Sequence, residues 1–408
     1  KNASTPVFST CFQVESAGTY RLSYENICGR FVQDPSGTIY VNNVDVYKIR
    51  AGKTSEDWGT WPVIMADSAI VGSSNHDEFD IKEIKFDIAE PGRYAFCIYA
   101  ERVNDEDNLK FRNLHVEKME SSAARLNGFR LHSPRIVPQD WAEATWQAAV
   151  NIENRGLEKL EDAALAVSVN GREAMRRAFS LDIDAKEDFV LDVPVSGFKA
   201  NDTIRVTGEV FAGETSISKA QAVPAAVIVS KDVAAFDHLT DFTDMETLQG
   251  YVGGKIGLIF PVVMKDTLTA VSCAWGAMDE NMDVIIAIHQ VTVDNGIVSL
   301  GKTIYEKTER RGMAGGMAVY NTPAFLLEPG NYFISVEPGS AKNFKLAMDL
   351  NPEGGFHVLD VLEGSWKYMT QAGYPVIRAL FGSDGKPTSK DAEISAITKP
   401  AAFSCVKS

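Results

Sequence analysis

Phe86-Asp-Ile-Ala-Glu-Pro-Gly-Arg-Tyr-Ala-Phe-Cys-Ile98 and Ala324-Phe-Leu-Leu-Glu-Pro-Gly-Asn-Tyr-Phe-Ile-Ser-Val336 are two copies of one pattern, and a degenerate third copy runs from Phe12 to Tyr24. Counted from the glycine of each copy (Gly18, Gly92, Gly330), the fourth residue before it is apolar (Val14, Ile88, Leu326) and the second after it is tyrosine (Tyr20, Tyr94, Tyr332). The alternation then continues through Leu22 and Tyr24, Phe96 and Ile98, and Ile334 and Val336. A period of two on both sides of a glycine turn describes two strands with one buried face. Glycine supplies the positive φ that other residues resist. Each copy is therefore read as a hairpin within a β-sandwich.

The rest of the chain extends that reading. At 408 residues it exceeds a single sandwich of roughly 100–170 residues, so three domains are the natural division. A net charge of −15 disfavours attraction to nucleic acid or to an anionic membrane. No apolar run is long enough to span a bilayer, so no membrane insertion is expected. No secretory leader opens the chain, and the expectation is a segment whose leader was removed or that belongs to something longer. The five cysteines (Cys11, Cys28, Cys97, Cys273, Cys405) form no CxxC. In an oxidising compartment Cys11, Cys28 and Cys97 are candidates for a bridge, and small buried hydrophobes are the competing reading.

From Thr10 to about Met119 strand patterns follow one another, interrupted by loops at 50–62 and 71–80. Beyond a short polar linker, Trp146, Ala148, Val150 and Ile152 alternate with Gln147, Asn151 and Glu153 as in a half-buried antiparallel strand. Leu165, Val167 and Val169 end in Asn170-Gly171, a dipeptide suited to a two-residue hairpin. Further on, Gly257–Val263 and Thr267–Cys273 read as paired strands, and Val284–Val293 leads into a second hairpin dipeptide, Asn295-Gly296. These spans give an all-β chain of three β-sandwich domains: residues 1–120 jelly-roll-like, 127–230 immunoglobulin- or fibronectin-like, 233–385 jelly-roll-like, and a polar tail at 386–408.

Val150-Asn-Ile-Glu-Asn-Arg-Gly156, followed by Ala164-Leu-Ala-Val-Ser-Val-Asn-Gly171, resembles bacterial cell-adhesion-related, fibronectin-like domains. Phe260-Pro-Val262, Leu326–Phe333, Ser365-Trp366 and Ile377–Gly382 resemble the C-terminal jelly-roll modules of secreted surface proteins and peptidases of Bacteroidetes-type bacteria. That resemblance is one of organisation over about two thirds of the chain, and it implies a secreted or cell-surface location.

Catalytic signatures are missing from the sequence: it has no HExxH, no GxSxG, no phosphate-cradling loop and no dinucleotide fingerprint. The histidines at 76, 115, 132, 238, 289 and 357 are scattered. Two loop features remain. Glu56-Asp-Trp-Gly-Thr-Trp-Pro62 places Trp58 and Trp61 beside Asp57 and Thr60, a set able to stack on a sugar ring and bond its hydroxyls. The competing role for the tryptophans is to plug the edge of the sandwich. Asp105-Glu-Asp-Asn108 offers hard oxygen ligands, with Asp105, Asp107 and Asn108 as candidate calcium ligands. Asn75–Glu78 and Asp279–Asp283 are weaker acidic clusters, and Trp366 and Tyr368 near Tyr374 form a lesser aromatic set. Arg176-Arg177 and Arg310-Arg311 are too isolated to mark a nucleic-acid surface and read as solvated strand ends or turns. The sequence is thus read as a noncatalytic, adhesin-like segment recognising a host protein or glycan. The alternatives are the accessory part of a secreted peptidase or glycosidase, and a surface spacer.

Overall fold

The computed structural model describes residues 8–33, 39–41, 47–67, 79–100, 107–223, 226–239, 246–250, 252–294, 297–339, 344–350, 354–370 and 372–382. Among them there is no α-helix, only strands and two short 3-10 turns. The chain divides into two compact units. The first holds residues 1–123 with the short segment Arg155–Glu158, and the second holds 124–154 and 159–408.

In the first unit the strands are β1 (Phe8–Val14), β2 (Gly18–Gln33), β3 (Ile39–Val41), β4 (Tyr47–Lys53), β5 (Val63–Asp67), β6 (Asp80–Ile88), β7 (Gly92–Ala100) and β8 (Asp107–Lys118). One sheet has the order β1-β7-β4-β5, and in the other β2 is bonded to β3, β6 and β8. Val14, Leu22, Tyr24, Ile49, Phe86, Phe96 and Ile98 come from both sheets and fill the core between them.

This topology corrects the hairpin reading. β1 does not pair with β2, nor β6 with β7; instead Val14 pairs with Gly92 in one sheet and Gly18 with Ile88 in the other. Each Gly-x-Tyr signature is a corner where the chain leaves one sheet for the other. The two corners of this sandwich lie side by side in reciprocal register, the glycine of each opposite the apolar residue four before the glycine of the other. A strand entering a corner and one entering a hairpin share the same period of two, so alternation could not separate them. The three glycines have nearly equal φ, +149°, +153° and +154°. The tyrosines explain the rest of the signature: each hydroxyl donates to the carbonyl four residues upstream. Tyr20 bonds Ser16 O at 2.7 Å, Tyr94 bonds Glu90 O at 3.0 Å and Tyr332 bonds Glu328 O at 2.9 Å. The residue two before each glycine also receives a lysine: Lys118 reaches Ser16 Oγ, Lys53 reaches Glu90 and Lys265 reaches Glu328.

The second unit begins with β9 (Ala124–Leu131), β10 (Ile136–Pro138), β11 (Thr145–Asn154), β12 (Leu160–Val169), β13 (Arg172–Leu181), β14 (Lys186–Pro194), β15 (Thr203–Ile204), β16 (Val206–Ala212), β17 (Thr215–Ser216), β18 (Gln221–Ala222) and β19 (Val227–Ser230). A three-stranded sheet, β14-β11-β9, and a sheet of β13, β12 and β16 with β17 and β18 form the fibronectin-sized sandwich. As the alternation requires, Trp146, Ala148, Val150 and Ile152 are buried. Asn170 and Gly171 have φ of +48° and +79°, and Val169 pairs with Arg172 across the expected tight turn.

The C-terminal strands are β20 (Val233–Ala235), β21 (Thr247–Gln249), β22 (Gly254–Val262), β23 (Asp266–Trp275), β24 (Met282–Asp294), β25 (Ile297–Arg311), β26 (Gly316–Leu327), β27 (Gly330–Pro338), β28 (Lys345–Asp349), β29 (Phe356–Asp360), β30 (Ser365–Met369), β31 (Tyr374–Pro375) and β32 (Ile377–Phe381). Six of them form the sheet β25-β24-β27-β22-β29-β30. The opposing sheet runs β15-β19-β10-β20-β32-β23-β28-β21, with β26 on β23 and β31 on β28, so it takes in strands from the middle stretch as well. β22 and β23, read as a pair, belong to opposite sheets: Val262 faces Gly330 and Asp266 faces Leu327, which makes a second corner beside the third signature. Asp294 pairs with Ile297, while Asn295 and Gly296 themselves lie outside the described residues. One apolar core runs from Phe129 and Trp146 through Trp141 to Phe260, Trp275 and Phe381. Within it Trp141 Nε1 donates to Asp266 Oδ2 at 2.9 Å, and Arg378 forks onto the fully buried Asp237. Arg311 corrects the solvated reading of the second dibasic pair. It is 1% exposed, lies over the Trp275 ring and bonds the Gly276 carbonyl.

Candidate functional site

The loop between β4 and β5 carries all four residues singled out as ligand-binding, and its placement follows from the outer face of the β1-β7-β4-β5 sheet. On β7 the inner positions Tyr94, Phe96 and Ile98 enter the core, which leaves Ala95, Cys97 and Tyr99 outward. That outward row is apolar and needs cover. Trp61 supplies it, 6% exposed and packed on Ala95, Cys97 and Tyr99. The indole lies directly on Gly52 of β4, where an added Cβ would come within 2.3 Å of the ring, so only glycine admits it.

The preceding residues form a 3-10 turn, Trp58–Thr60. Asp57 caps it by accepting from Gly59 N at 3.0 Å, and Thr60 Oγ1 donates to Asp57 O at 2.7 Å. Arg50 secures the turn from below. Its Nη1 donates to Gly59 O at 3.1 Å and Trp61 O at 2.5 Å, and its Nε donates to the Tyr99 hydroxyl at 3.1 Å. Trp58 is half-buried, 6.0 Å from the Tyr99 ring, while Asp57, Gly59 and Thr60 are exposed. The structure thus separates the two tryptophans: Trp58 keeps a solvent-facing portion beside Asp57 and Thr60, whereas Trp61 is buried and offers no indole face. The spacing Trp-x-x-Trp showed both on one loop but could not show which of them the sheet would claim.

Asp105 lies outside the described residues, and only the backbone of Asp107 and Asn108, in β8, is described, opposite Arg30 and Gly29 of β2. The Asn75–Glu78 cluster is likewise outside them. In Asp279–Asp283 the Asp283 carboxylate is taken by Arg310 at 2.8 Å. Among the described residues no group of three or more His, Cys, Asp or Glu side chains is placed to hold a metal ion.

The cysteines Cys11, Cys97 and Cys273 are free thiols. Cys11 pairs with Ala95 and Cys97 with Ser9, so the two cysteines are diagonal neighbours and not a directly opposed pair. Burial raises the Cys97 thiol above its ordinary value, with Arg50 pulling the other way, and full burial pushes Cys273 up much further. Neither is activated as a nucleophile. Of the lesser aromatic set, Trp366 and Tyr368 share a face of β30 with His357 between them, at 6.2 Å and 4.7 Å. Tyr374 is elsewhere, stacked on Phe236.

No known protein family matches the chain, and no curated protein does. Solved structures align with it only loosely. The CARDB domain of a Pyrococcus furiosus protein matches at 14% identity over 28% of this chain and all of its own, with a TM-score of 0.22. A GH2 beta-galacturonidase from Eisenbergiella tayi, bound to galacturonate, matches at 11% over 53% of this chain and 34% of its own, with a TM-score of 0.30. A bacterial ice-binding adhesin aligns at 9% over 90% of this chain and 98% of its own, with a TM-score of 0.18. At such low scores none of them assigns a function. Among the described residues no helix is long and apolar enough to cross a membrane.

Proposed function

We propose that the chain is a noncatalytic, secreted or cell-surface recognition segment of adhesin-like character, and that its first sandwich contacts a host glycan or protein through the turn at Asp57–Thr60. The observation that carries this reading is the rigid presentation of Trp58. A 3-10 turn held by two Arg50 hydrogen bonds, to Gly59 O and Trp61 O, with Arg50 itself braced on the Tyr99 hydroxyl, keeps its indole beside two exposed polar side chains. Such preorganisation lowers the ordering cost of binding. One Asp57 oxygen is used by Gly59 N, and the other is uncommitted among the described residues; Thr60 spends its proton on Asp57 O and keeps its lone pairs for a donor. An indole face with neighbouring acceptors suits a sugar ring or an aromatic-anchored peptide.

The test is binding of the intact chain to a glycan array and to immobilised host-cell surface proteins, with and without calcium, beside Trp58→Ala. Loss of binding in Trp58→Ala with an unchanged circular-dichroism spectrum is the expected result. Binding that Trp58→Ala leaves untouched would remove the turn from the reading, and an absence of binding to either class would favour the accessory or spacer role.

A further inference from the structure

We infer that the second unit carries its own binding site for a neutral, hydroxyl-rich ligand of saccharide type, in a cleft of about 520 Å³ between the outward side of β11 and β14 and the corner at Gly330. The site is independent of the turn at Trp58. Its volume falls within the range of small-molecule pockets, roughly 300–1,000 Å³.

The walls are fixed by strand register. On one side Thr145 and Gln147 are outward positions of β11, Asp192 of β14 stands opposite Gln147, and the His132 amide bonds Gln147 O at 2.8 Å. On the other, Asn331 pairs with Pro261 and Gly330 with Val262. His132 Nε2 lies 3.1 Å from Asn331 Oδ1 and joins the two walls. With the imidazole N–H donating, the Asn331 amide keeps both its protons for a ligand.

The lining chemistry selects the ligand class. Gln147 and Asn331 offer amide donors, Gln147 and Asp192 offer acceptors, and Thr145 can do either. The side chains of Thr145, Gln147 and Asp192 make no hydrogen bond to other described residues, so they are available. A hydroxyl both donates and accepts, and a ring of hydroxyls satisfies this mixed set without leaving one kind of group unpaired. No lysine or arginine lines the cleft, its one formal charge is the Asp192 carboxylate, and the chain as a whole carries −15. Phosphate, sulfate and carboxylate ligands are therefore disfavoured, since nothing would offset their charge. Pro261, Pro329 and Val263 add an apolar strip against which the C–H face of a sugar can pack.

The experiment uses the full chain. A neutral oligosaccharide array, backed by saturation-transfer NMR with the methyl glycosides of glucose, galactose, mannose and N-acetylglucosamine, is read for wild type, Gln147→Ala, Asp192→Ala and Trp58→Ala. Both cleft positions are exposed on strand faces, so their truncation should leave the fold intact, as checked by circular dichroism. The expected result is a neutral saccharide whose affinity falls about tenfold or more in each cleft variant, in keeping with the loss of a ligand hydrogen bond. Trp58→Ala should bind it unchanged, and sulfated or sialylated counterparts should bind more weakly. The inference is overturned if no neutral saccharide binds, if binding survives both cleft substitutions, or if anionic glycans are preferred.

Discussion

At the scale of single residues, the recurrent tyrosine is the clearest case of a side chain whose role is local and polar. Tyr20, Tyr94 and Tyr332 each close a corner with one hydrogen bond, and such a bond is worth about 1 kcal/mol. Tyr94→Phe should therefore lower the urea stability of the first unit by about that much, with no change in its tryptophan fluorescence. Gly92→Ala separates backbone from packing. The nearest atoms to an added Cβ are at 3.7 Å, ordinary contact, so its cost is that of the φ of +153° alone, roughly 1–3 kcal/mol. His238 makes a pH-dependent contribution in the second unit. Its hydrogen bond to Asp349 raises its pKa above 6.5 against the effect of burial. A raised folded value means that the stabilisation is fully present below about pH 6.5 and is lost as pH climbs through the folded pKa. NMR titration should place His238 above the ordinary histidine value, and Asp349→Asn should bring it down.

Among elements, the β4–β5 loop shows how one segment divides between structure and surface. Trp61 covers the outward row of β7, and Trp61→Ala should cost about 3–5 kcal/mol through the cavity left over Gly52 and Cys97. The same change should make Cys97 reactive toward an aromatic disulfide reagent, where the wild-type thiol is slow. Trp58→Ala, which empties no core position, should alter neither readout; equal effects of the two substitutions would contradict this division. The three corners act in the same way on strands. Each takes a regular alternating strand and sends it into the opposite sheet, so that both sheets of a sandwich receive residues from one continuous stretch.

For the whole molecule, the consequence lies in the second unit. Its ten-stranded sheet passes from β15, β19 and β10 into β20 and β32, and its core is continuous from Phe129 to Phe381. Cutting after residue 230 would strip β10 of its partner β20 and separate Trp141 from Asp266. A fragment spanning residues 124–382 should therefore unfold in a single calorimetric transition. Two well-separated transitions would show instead that the middle and C-terminal stretches are independently stable.

Much of this was legible in the sequence, because strand alternation, Asn170-Gly171 and the Gly-x-Tyr signature are local properties with local causes. They determined an all-β chain, the buried face of the alternating strands and the places where the chain turns at Gly18, Gly92 and Gly330, but not that those turns are corners, and they left the corner between β22 and β23 unmarked. Sheet membership was decided only by the tertiary structure: a period of two is the same in a hairpin and a corner, and long-range pairing alone tells them apart. The same limit held for Trp58 against Trp61 and for Arg311. Residue type gives the tendency to be buried, but which side chain is covered depends on the neighbour the fold brings to it, here Gly52 under one indole and Trp275 beneath one guanidinium. The cleft at Asn331 left no mark in the sequence, since its walls, from 132 to 331, meet only when β11 and β27 are packed in one unit.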